Sequence, residues 1–203
     1  MKILLLIILI TFASFTAKAQ ETLLNDDIET TTYISLEGKF TNNIDGEFGF
    51  LAGGKMAVIF NKTWGLGFAG CGLMNNNKFI HENLPTNQDF RMDFVYIGSF
   101  LEYIYEPDDL IHFNVNCLFG IGGTTISADN DCKYPDETSY GTESCGIIEP
   151  GIQLEINFFS WMKVGLGGSY RYLYEYEDFY DFVKSDFEGL SGVLTFTYIY
   201  NSK

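Results

Sequence analysis

The chain has 203 residues, of which 46% are hydrophobic and 19% are charged, and its formal net charge is −15 at pH 7. This length suits one domain with a hydrophobic core or one closed barrel. The excess of acidic residues excludes nucleic acid as a natural partner, because binding to phosphate groups requires a positive surface.

Residues 1–19 have the three parts of a secretory signal peptide. Lys2 supplies the positive first part, the apolar run ILLLIILITFASF follows, and Ala17, Lys18 and Ala19 form an A-x-A cleavage site before Gln20. Removing these residues leaves ten basic residues against 27 acidic ones and a net charge of −17. The alternative is an uncleaved membrane anchor, which is less favoured because the apolar run is short for a spanning helix.

From residue 32 onward, apolar and polar residues alternate with a period of two, which is typical of β-strands. No later stretch approaches about eighteen consecutive apolar residues, so no transmembrane helix is predicted. The alternation predicts eight strands, at about 32–40, 47–60, 63–74, 92–105, 111–123, 147–158, 162–174 and 189–200. Pro150 lacks the backbone donor that a strand needs, so it predicts a bulge or weak pairing in the sixth strand.

Every second predicted connection is tight. Turns at 61–63, 106–110 and 159–161 alternate with a short loop at 41–46 and long polar loops at 75–91, 124–146 and 175–188. This alternation is typical of an up-and-down barrel whose two ends face different compartments. With eight strands, both ends of the barrel domain lie at the tight-turn end, which faces the periplasm in an outer-membrane barrel.

Each predicted strand has one apolar face and one face of glycine, hydroxyl, amide and charged side chains. Small residues on the polar face suit the crowded interior of a narrow barrel, so we expect the apolar face to contact lipid. Aromatic residues cluster beside the tight turns, as in the interfacial girdle of a membrane protein. The predicted girdle consists of Trp64, Tyr103, Tyr105, Trp161, Tyr198 and Tyr200.

Eight charged residues lie on the predicted inner face: Glu37, Lys39, Lys55, Glu102, Glu149, Glu155, Lys163 and Arg171. Isolated buried charges are costly, so opposite charges should pair. Across the hairpin 147–174, Glu149 lies opposite Arg171. If the register is shifted by two residues, Glu155 lies opposite Lys163 instead. We therefore predict a salt-bridge network that closes the lumen. A gated ion path or acid–base chemistry is the alternative, but the equal numbers of opposite charges favour the structural role.

Three segments carry a resemblance to a known class of proteins: GGKMAVIFNKTWGLGFAGCGL, LEYIYEPDDLIHFNVNCLFGIGG and IIEPGIQLEINFFSWMKVGLGGSYRY. They resemble the small outer-membrane β-barrels typified by the transmembrane domain of outer-membrane protein A, and more closely the porin-like "outer membrane β-barrel domain" family. The resemblance covers roughly residues 32–200. It implies an all-β, eight-stranded, antiparallel, up-and-down transmembrane barrel with a filled polar lumen, and it brings no catalytic motif. Such barrels often end on an aromatic residue, whereas Tyr200 is followed by three polar residues.

Together these features predict a protein of the outer membrane of a Gram-negative-type cell, exported through the secretory pathway. Residues 20–31 are expected to form a short periplasmic segment and residues 32–203 the barrel domain. We expect a monomer with a structural or surface-interaction role and neither an enzymatic activity nor a cofactor. Its expected partners are the lipid bilayer and, through the acidic-aromatic loops, a surface protein or glycan. The alternatives are a secreted lipocalin-like ligand binder, a small passive pore, and a lipid-modifying outer-membrane enzyme.

Two further sites fall in or beside the predicted loops. Cys132 and Cys145 flank a polar loop and could close it with a disulfide, which an exported chain can form. Clustered carboxylates could take up a hard divalent cation through their oxygen atoms, and a solvated acidic rim is the alternative. The metal candidates are Asp129, Asp131, Glu177 and Asp178, whose spacing matches no calcium-loop pattern.

Overall fold

The computed structural model describes residues 29–44, 47–74, 78–79, 90–128, 139–176 and 184–200. Its elements are β1 (Thr30–Ile44), β2 (Glu47–Phe60), β3 (Trp64–Leu73), β4 (Lys78–Phe79), β5 (Phe90–Tyr105), β6 (Ile111–Ala128), β7 (Ser139–Phe159), β8 (Met162–Tyr174), a 3₁₀ turn (Lys184–Asp186) and β9 (Gly189–Tyr200). No helix in these ranges is long and apolar enough to cross a membrane.

Eight of the strands form a closed, antiparallel, up-and-down barrel. Each pairs with its neighbours along the chain, β5 follows β3 in the sheet, and β9 pairs with β1 to close the ring. The two-residue β4 pairs with the first residues of β5 and is not counted as a barrel strand. The predicted fold class is confirmed.

The two ends of the barrel differ. Tight turns at 61–63, 106–110 and 160–161 lie at one end, which we call the turn end. We call the opposite end the loop end. β1 begins at the turn end, because Thr30 pairs with Phe60 beside the turn at 61–63, and β9 ends there, because Tyr200 pairs with Thr32. This placement agrees with the predicted arrangement of the chain.

β6 and β7 are longer than the alternation predicts. β6 continues to Ala128 and β7 begins at Ser139, so much of the predicted loop 124–146 is a paired hairpin. Period-two alternation of apolar and polar residues indicates a strand with one apolar and one polar side. Residues 124–128 and 139–146 are mostly polar on both sides, so this signal disappears although the backbone ladder continues.

The outer surface of the barrel is apolar and its interior is polar and charged. Leu66 and Leu166, on the outer face, are 56% and 67% exposed, whereas Glu149 and Arg171, on the inner face, are 2% and 0% exposed. A soluble protein would show the opposite distribution. The facing predicted from the sequence is therefore correct.

The interior also contains apolar side chains that the predicted polar face did not include. At the loop end they are Leu51, Met92, Phe94, Ile147, Leu173 and Phe187, and at the turn end Ile59, Ile104 and Ile199. These residues fill the lumen above and below the charged groups. Most of the charged groups consequently lie between these two sets of apolar residues.

The β7–β8 hairpin has the predicted register over most of its length. Gly146 pairs with Tyr174 and Gly151 with Ser169, which places Glu149 level with Arg171. The β7–β8 ladder contains no pair at Glu149 or Pro150, whereas Pro150 keeps its pair with Cys117 of β6, and the β7–β8 register is the same on both sides of this gap. Pro150 therefore weakens the pairing without forming a bulge. The turn consists of residues 160–161 and is one residue shorter than predicted. An irregularity between Asn157 and Phe159 compensates for this difference, so the rest of the hairpin has the predicted register.

The charged lumen as candidate functional site

Four charged side chains form a continuous row of ion pairs in the half of the lumen nearer the loop end. Lys55 Nζ on β2 lies 2.6 Å from Glu37 Oε2 on β1, and Lys39 Nζ lies 2.9 Å from Glu37 Oε1. Lys39 also contacts Glu149 Oε1 on β7 at 2.5 Å. Since β1 and β7 are not neighbours in the sheet, this last contact crosses the lumen. We call these four residues the loop-side cluster.

Glu149 is fully hydrogen-bonded within the barrel. Besides the ion pair to Lys39, its Oε2 accepts a hydrogen bond from the Tyr96 hydroxyl (2.6 Å) and its Oε1 accepts one from the Ser169 hydroxyl (2.6 Å). Lys39 in turn donates to the Tyr96 oxygen at 2.9 Å. A buried carboxylate is tolerated when counter-charge and hydrogen bonds together satisfy its oxygens. The arrangement around Glu149 meets that condition.

A second group of polar residues surrounds Glu155, nearer the turn end. His112 Nε2 lies 3.0 Å from Glu155 Oε2, and Lys163 Nζ lies 3.7 Å from the same oxygen. Lys163 Nζ is also 3.3 Å from His112 Nε2, so the histidine either donates to Glu155 or accepts from Lys163, according to its tautomer. Glu155 pairs in register with Gly165 rather than Lys163, so the predicted contact between Glu155 and Lys163 is a diagonal one.

Glu102 joins this second group but has no ion-pair partner among the described residues. Its Oε2 accepts hydrogen bonds from the Tyr33 hydroxyl (3.0 Å) and from Asn114 Nδ2 (2.9 Å). Asn114 Nδ2 also bonds Glu155 Oε1 at 3.1 Å and so connects the two carboxylates. Glu102 Oε1 has no hydrogen-bond donor within the described ranges. We call Tyr33, Glu102, His112, Asn114, Glu155 and Lys163 the turn-side cluster.

Arg171 forms no ion pair with Glu149, so that part of the predicted network is wrong. Its Nε donates to the Phe187 carbonyl at 2.7 Å, and its guanidinium carbon lies 5.1 Å from the centre of the Phe94 ring. Its Nη1 and Nη2 have no acceptor among the residues that the structure describes. Glu149 is instead bonded to Lys39, which reaches it across the lumen. The structure thus brings together seven of the eight predicted charged residues, in two clusters.

Five polar partners of the charges were not predicted as site residues: Tyr33, Tyr96, His112, Asn114 and Ser169. Tyr96 and Ser169 belong to the loop-side half, and the other three belong to the turn-side cluster. Each lies on the inward parity of its strand, which is the only signal that the sequence carried for them. Parity places a residue inside the barrel, but it does not say which residue on another strand it will meet.

The turn end has an open mouth. A cavity of about 500 Å³ lies there, bordered by Lys62 and Asp108 on the rim and by Lys163 deeper in the barrel. Lys62 Nζ donates a hydrogen bond to Asp108 Oδ1 at 2.9 Å, joining two turns. This hydrogen bond and the charge of Asp108 raise the pKa of Lys62 above its ordinary value.

Three solved structures that resemble the chain are bacterial outer-membrane barrels. They are the N-terminal β-barrel domain of Pseudomonas aeruginosa OprF, Neisserial surface protein A (NspA), and a major outer membrane protein from Thermus thermophilus. The TM-scores are 0.53, 0.53 and 0.56, at sequence identities of 11%, 11% and 8%. The matches cover 86%, 87% and 84% of this chain and 100%, 100% and 99% of the other chains.

The chain has the fold of the small outer-membrane β-barrels. At these identities the similarity shows the fold alone. No protein-family model and no curated protein sequence matches the chain. The specific role of this outer-membrane barrel fold must therefore be inferred from its own residues.

All six predicted girdle residues lie on the outside of the barrel near the turn end. Trp64 contacts Tyr103 with ring centres 4.9 Å apart, and Trp161 contacts Tyr198 at 5.9 Å. Tyr105 and Tyr200 are 51% and 61% exposed. Amphipathic rings at one level of an outer-membrane barrel fold match the position of a membrane interface.

The remaining predicted sites lie partly outside the described residues. Cys145 is buried, and its predicted partner Cys132 lies outside the described ranges, so the disulfide between them stays a prediction. The four metal candidates at 129, 131, 177 and 178 also lie outside them. Within the described ranges, no group of three His, Cys, Asp or Glu side chains is arranged to hold a metal ion.

Proposed function

We propose that the protein is an integral outer-membrane barrel with a closed lumen, and that its role is structural or depends on contacts made at its loop end. The observation that carries this proposal is the reversed burial pattern. A band of aliphatic and aromatic side chains covers the outside, while the buried interior holds ion pairs. An outside of this kind requires lipid contact.

The outer-membrane location is supported by the fold and by the signal features of residues 1–19. In this location the turn end faces the periplasm and the loop end faces the exterior. The loop-end part of the β6–β7 hairpin then extends on the exterior side, beyond the predicted membrane segment. The similarity to NspA, whose name calls it a surface protein, agrees with a role at the cell surface. A surface protein or a glycan is the kind of partner that we propose for the loop end.

A closed lumen is supported by the two charged clusters and by the apolar layers above and below them. Eight-stranded barrels have interiors that side chains can fill, and here Lys39, Glu149 and Arg171 are each less than 5% exposed. Passage of ions would require the ion pairs to separate. We therefore propose that the barrel does not conduct in its resting state.

A non-enzymatic role is supported by the position of the only histidine-carboxylate pair within the described residues. His112 is 1% exposed and Glu155 is 7% exposed, both inside the lumen. A lipid substrate would approach the outer wall, from which this pair is separated by the barrel backbone. A lipocalin-like binder is not favoured either, because it needs an apolar interior and a polar outside.

Planar-bilayer recordings test the closed lumen. Purified protein, with insertion verified by protease protection of the strands in lipid vesicles, is expected to produce no conductance steps. Stepwise currents from the wild-type protein would favour the passive-pore alternative.

Detergent dependence tests the membrane assignment separately. The protein is expected to remain folded and monodisperse only in detergent or lipid, because removal of either exposes its apolar band to water. A stable monomer in plain buffer would overturn the proposal.

A further inference from the structure

A second, much smaller cavity lies inside the turn-side cluster. Its volume is about 10 Å³, which is close to the minimum that one water molecule requires. The polar residues that border it are Tyr33, Glu102, Asn114, Glu155, Lys163 and Thr197. A buried water normally makes two to four hydrogen bonds, and this lining provides both donors and acceptors.

Two of these residues are incompletely satisfied by protein atoms. Glu102 is 3% exposed, and its Oε1 has no hydrogen-bond donor among the described residues. Lys163 is 8% exposed and carries three donors. Its ammonium lies 3.3 Å from His112 Nε2 and 3.7 Å from Glu155 Oε2, so both contacts are long. A carboxylate with one oxygen that lacks a donor and an ammonium whose two contacts are long thus border one small space.

This space adjoins the mouth cavity at the turn end. The mouth cavity of about 500 Å³ and the small cavity share three lining residues, Ile59, Lys163 and Ile199. These side chains alone are common to both cavities, so a small movement of Ile199 or Lys163 would connect them. Neither cavity is bordered by Arg171 or Glu149, which lie in the loop-side half.

We propose that the turn-side cluster binds one water molecule, which enters from the mouth at the turn end and bridges Glu102 and Lys163. The water donates to the Glu102 carboxylate and accepts from the Lys163 ammonium. A metal cation is a poor occupant, because the ammonium of Lys163 borders the same space and repels it. The closed lumen is thereby hydrated in its turn-side half.

Water-to-protein magnetisation transfer in the isotope-labelled, detergent-solubilised wild-type barrel tests this site. The side-chain amide of Asn114 is expected to receive magnetisation from water, since it borders the cavity. The backbone N–H of Val193, which is buried in the loop-side half, is expected to receive none. Absence of transfer to Asn114 would overturn the proposal, and so would equal transfer to both groups.

The route of entry is tested by narrowing the mouth. Ile199→Phe places a larger side chain between the two cavities and is expected to slow exchange of the bound water at Asn114 several-fold. Leu190→Phe, on the lipid-facing side of the same strand, is the matched control and should leave the exchange unchanged. Unaltered exchange in Ile199→Phe would contradict entry from the turn end. The measurement on the wild-type protein does not depend on either variant.

Discussion

Lys39 makes two ion pairs from a position where only 4% of its surface is exposed, one to Glu37 and one to Glu149. Lys39→Met keeps most of the side-chain length but leaves two buried carboxylates without their shared cation. We expect this change to lower the free energy of unfolding by about 3–5 kcal/mol, the range seen when one partner of a buried pair is removed. Reversible urea unfolding in lipid vesicles, followed by tryptophan fluorescence, measures the effect.

A double-mutant cycle tests which residue pairs with Glu149. Glu149→Gln combined with Lys39→Met should show a coupling energy above about 1 kcal/mol, because the two groups are in direct contact. Glu149→Gln combined with Arg171→Met should show a smaller coupling, since Arg171 contacts Phe94 and the Phe187 carbonyl instead. The reverse order of the two coupling energies would contradict the observed arrangement.

Gly65 lies on the inner wall directly against the carboxylate of Glu102. A Cβ atom at this position would overlap the Glu102 side chain, whereas one at Gly192 would meet no atom within 4 Å. Gly65→Ala is therefore expected to destabilise the barrel by about 1–3 kcal/mol, the usual cost of overpacking. Gly192→Ala is the matched control and should change stability little. Comparison of the two unfolding midpoints measures the difference, and equal midpoints would contradict the packing of Glu102 on Gly65.

All eight charged residues lie on the inner face that the sequence predicts, but the predicted partner of Glu149 is wrong. The alternation within a strand predicts whether a side chain faces the lumen or the outside, and the hairpin register predicts which residue of the neighbouring strand lies beside it. Both predictions are correct for Glu149, which faces the lumen and is level with Arg171. The contact between Lys39 and Glu149 joins opposite walls, and it depends on strand tilt and stagger around the whole barrel. Those quantities are not encoded in any single hairpin.

At the scale of strands, the prediction was accurate where a strand has one apolar and one polar side. β8 and β9 begin and end where the alternation predicts, at Met162–Tyr174 and Gly189–Tyr200. β7 begins eight residues before its predicted start, because its first part lacks alternation although it pairs with β6. The alternation therefore measures the length of the membrane-facing segment rather than the length of the strand.

The lipid-facing side of β8 allows a test of membrane depth. Leu166 lies in the middle of this strand and is 67% exposed, and Leu110 lies at the turn end with a similar exposure of 66%. Leu166→Arg is expected to cost about 2–4 kcal/mol of folding free energy in vesicles, and Leu110→Arg about 0–1 kcal/mol, because the cost of a charge falls towards the interface. Equal costs at the two positions would contradict the assigned membrane level.

At the scale of the whole molecule, the number of strands, their order and the inside-out arrangement follow from the alternation of residues and of connection lengths. Closure through β1 and β9 also follows, since an up-and-down sheet of eight strands with unpaired edges would expose backbone groups to lipid. The sequence could not show how the interior divides into clusters, because this depends on contacts between walls.

Cysteine labelling in intact cells decides the orientation of the barrel. Ser185, in the 3₁₀ turn at the loop end, and Asp108, in a tight turn at the turn end, are both exposed. In a background without the four native cysteines, Ser185→Cys should react with a membrane-impermeant maleimide in intact cells. Asp108→Cys should react only after the outer membrane is permeabilised, because the turn end then faces the periplasm. Reaction of Asp108→Cys alone before permeabilisation would reverse the assignment, and the proposed partners would then have to be sought in the periplasm.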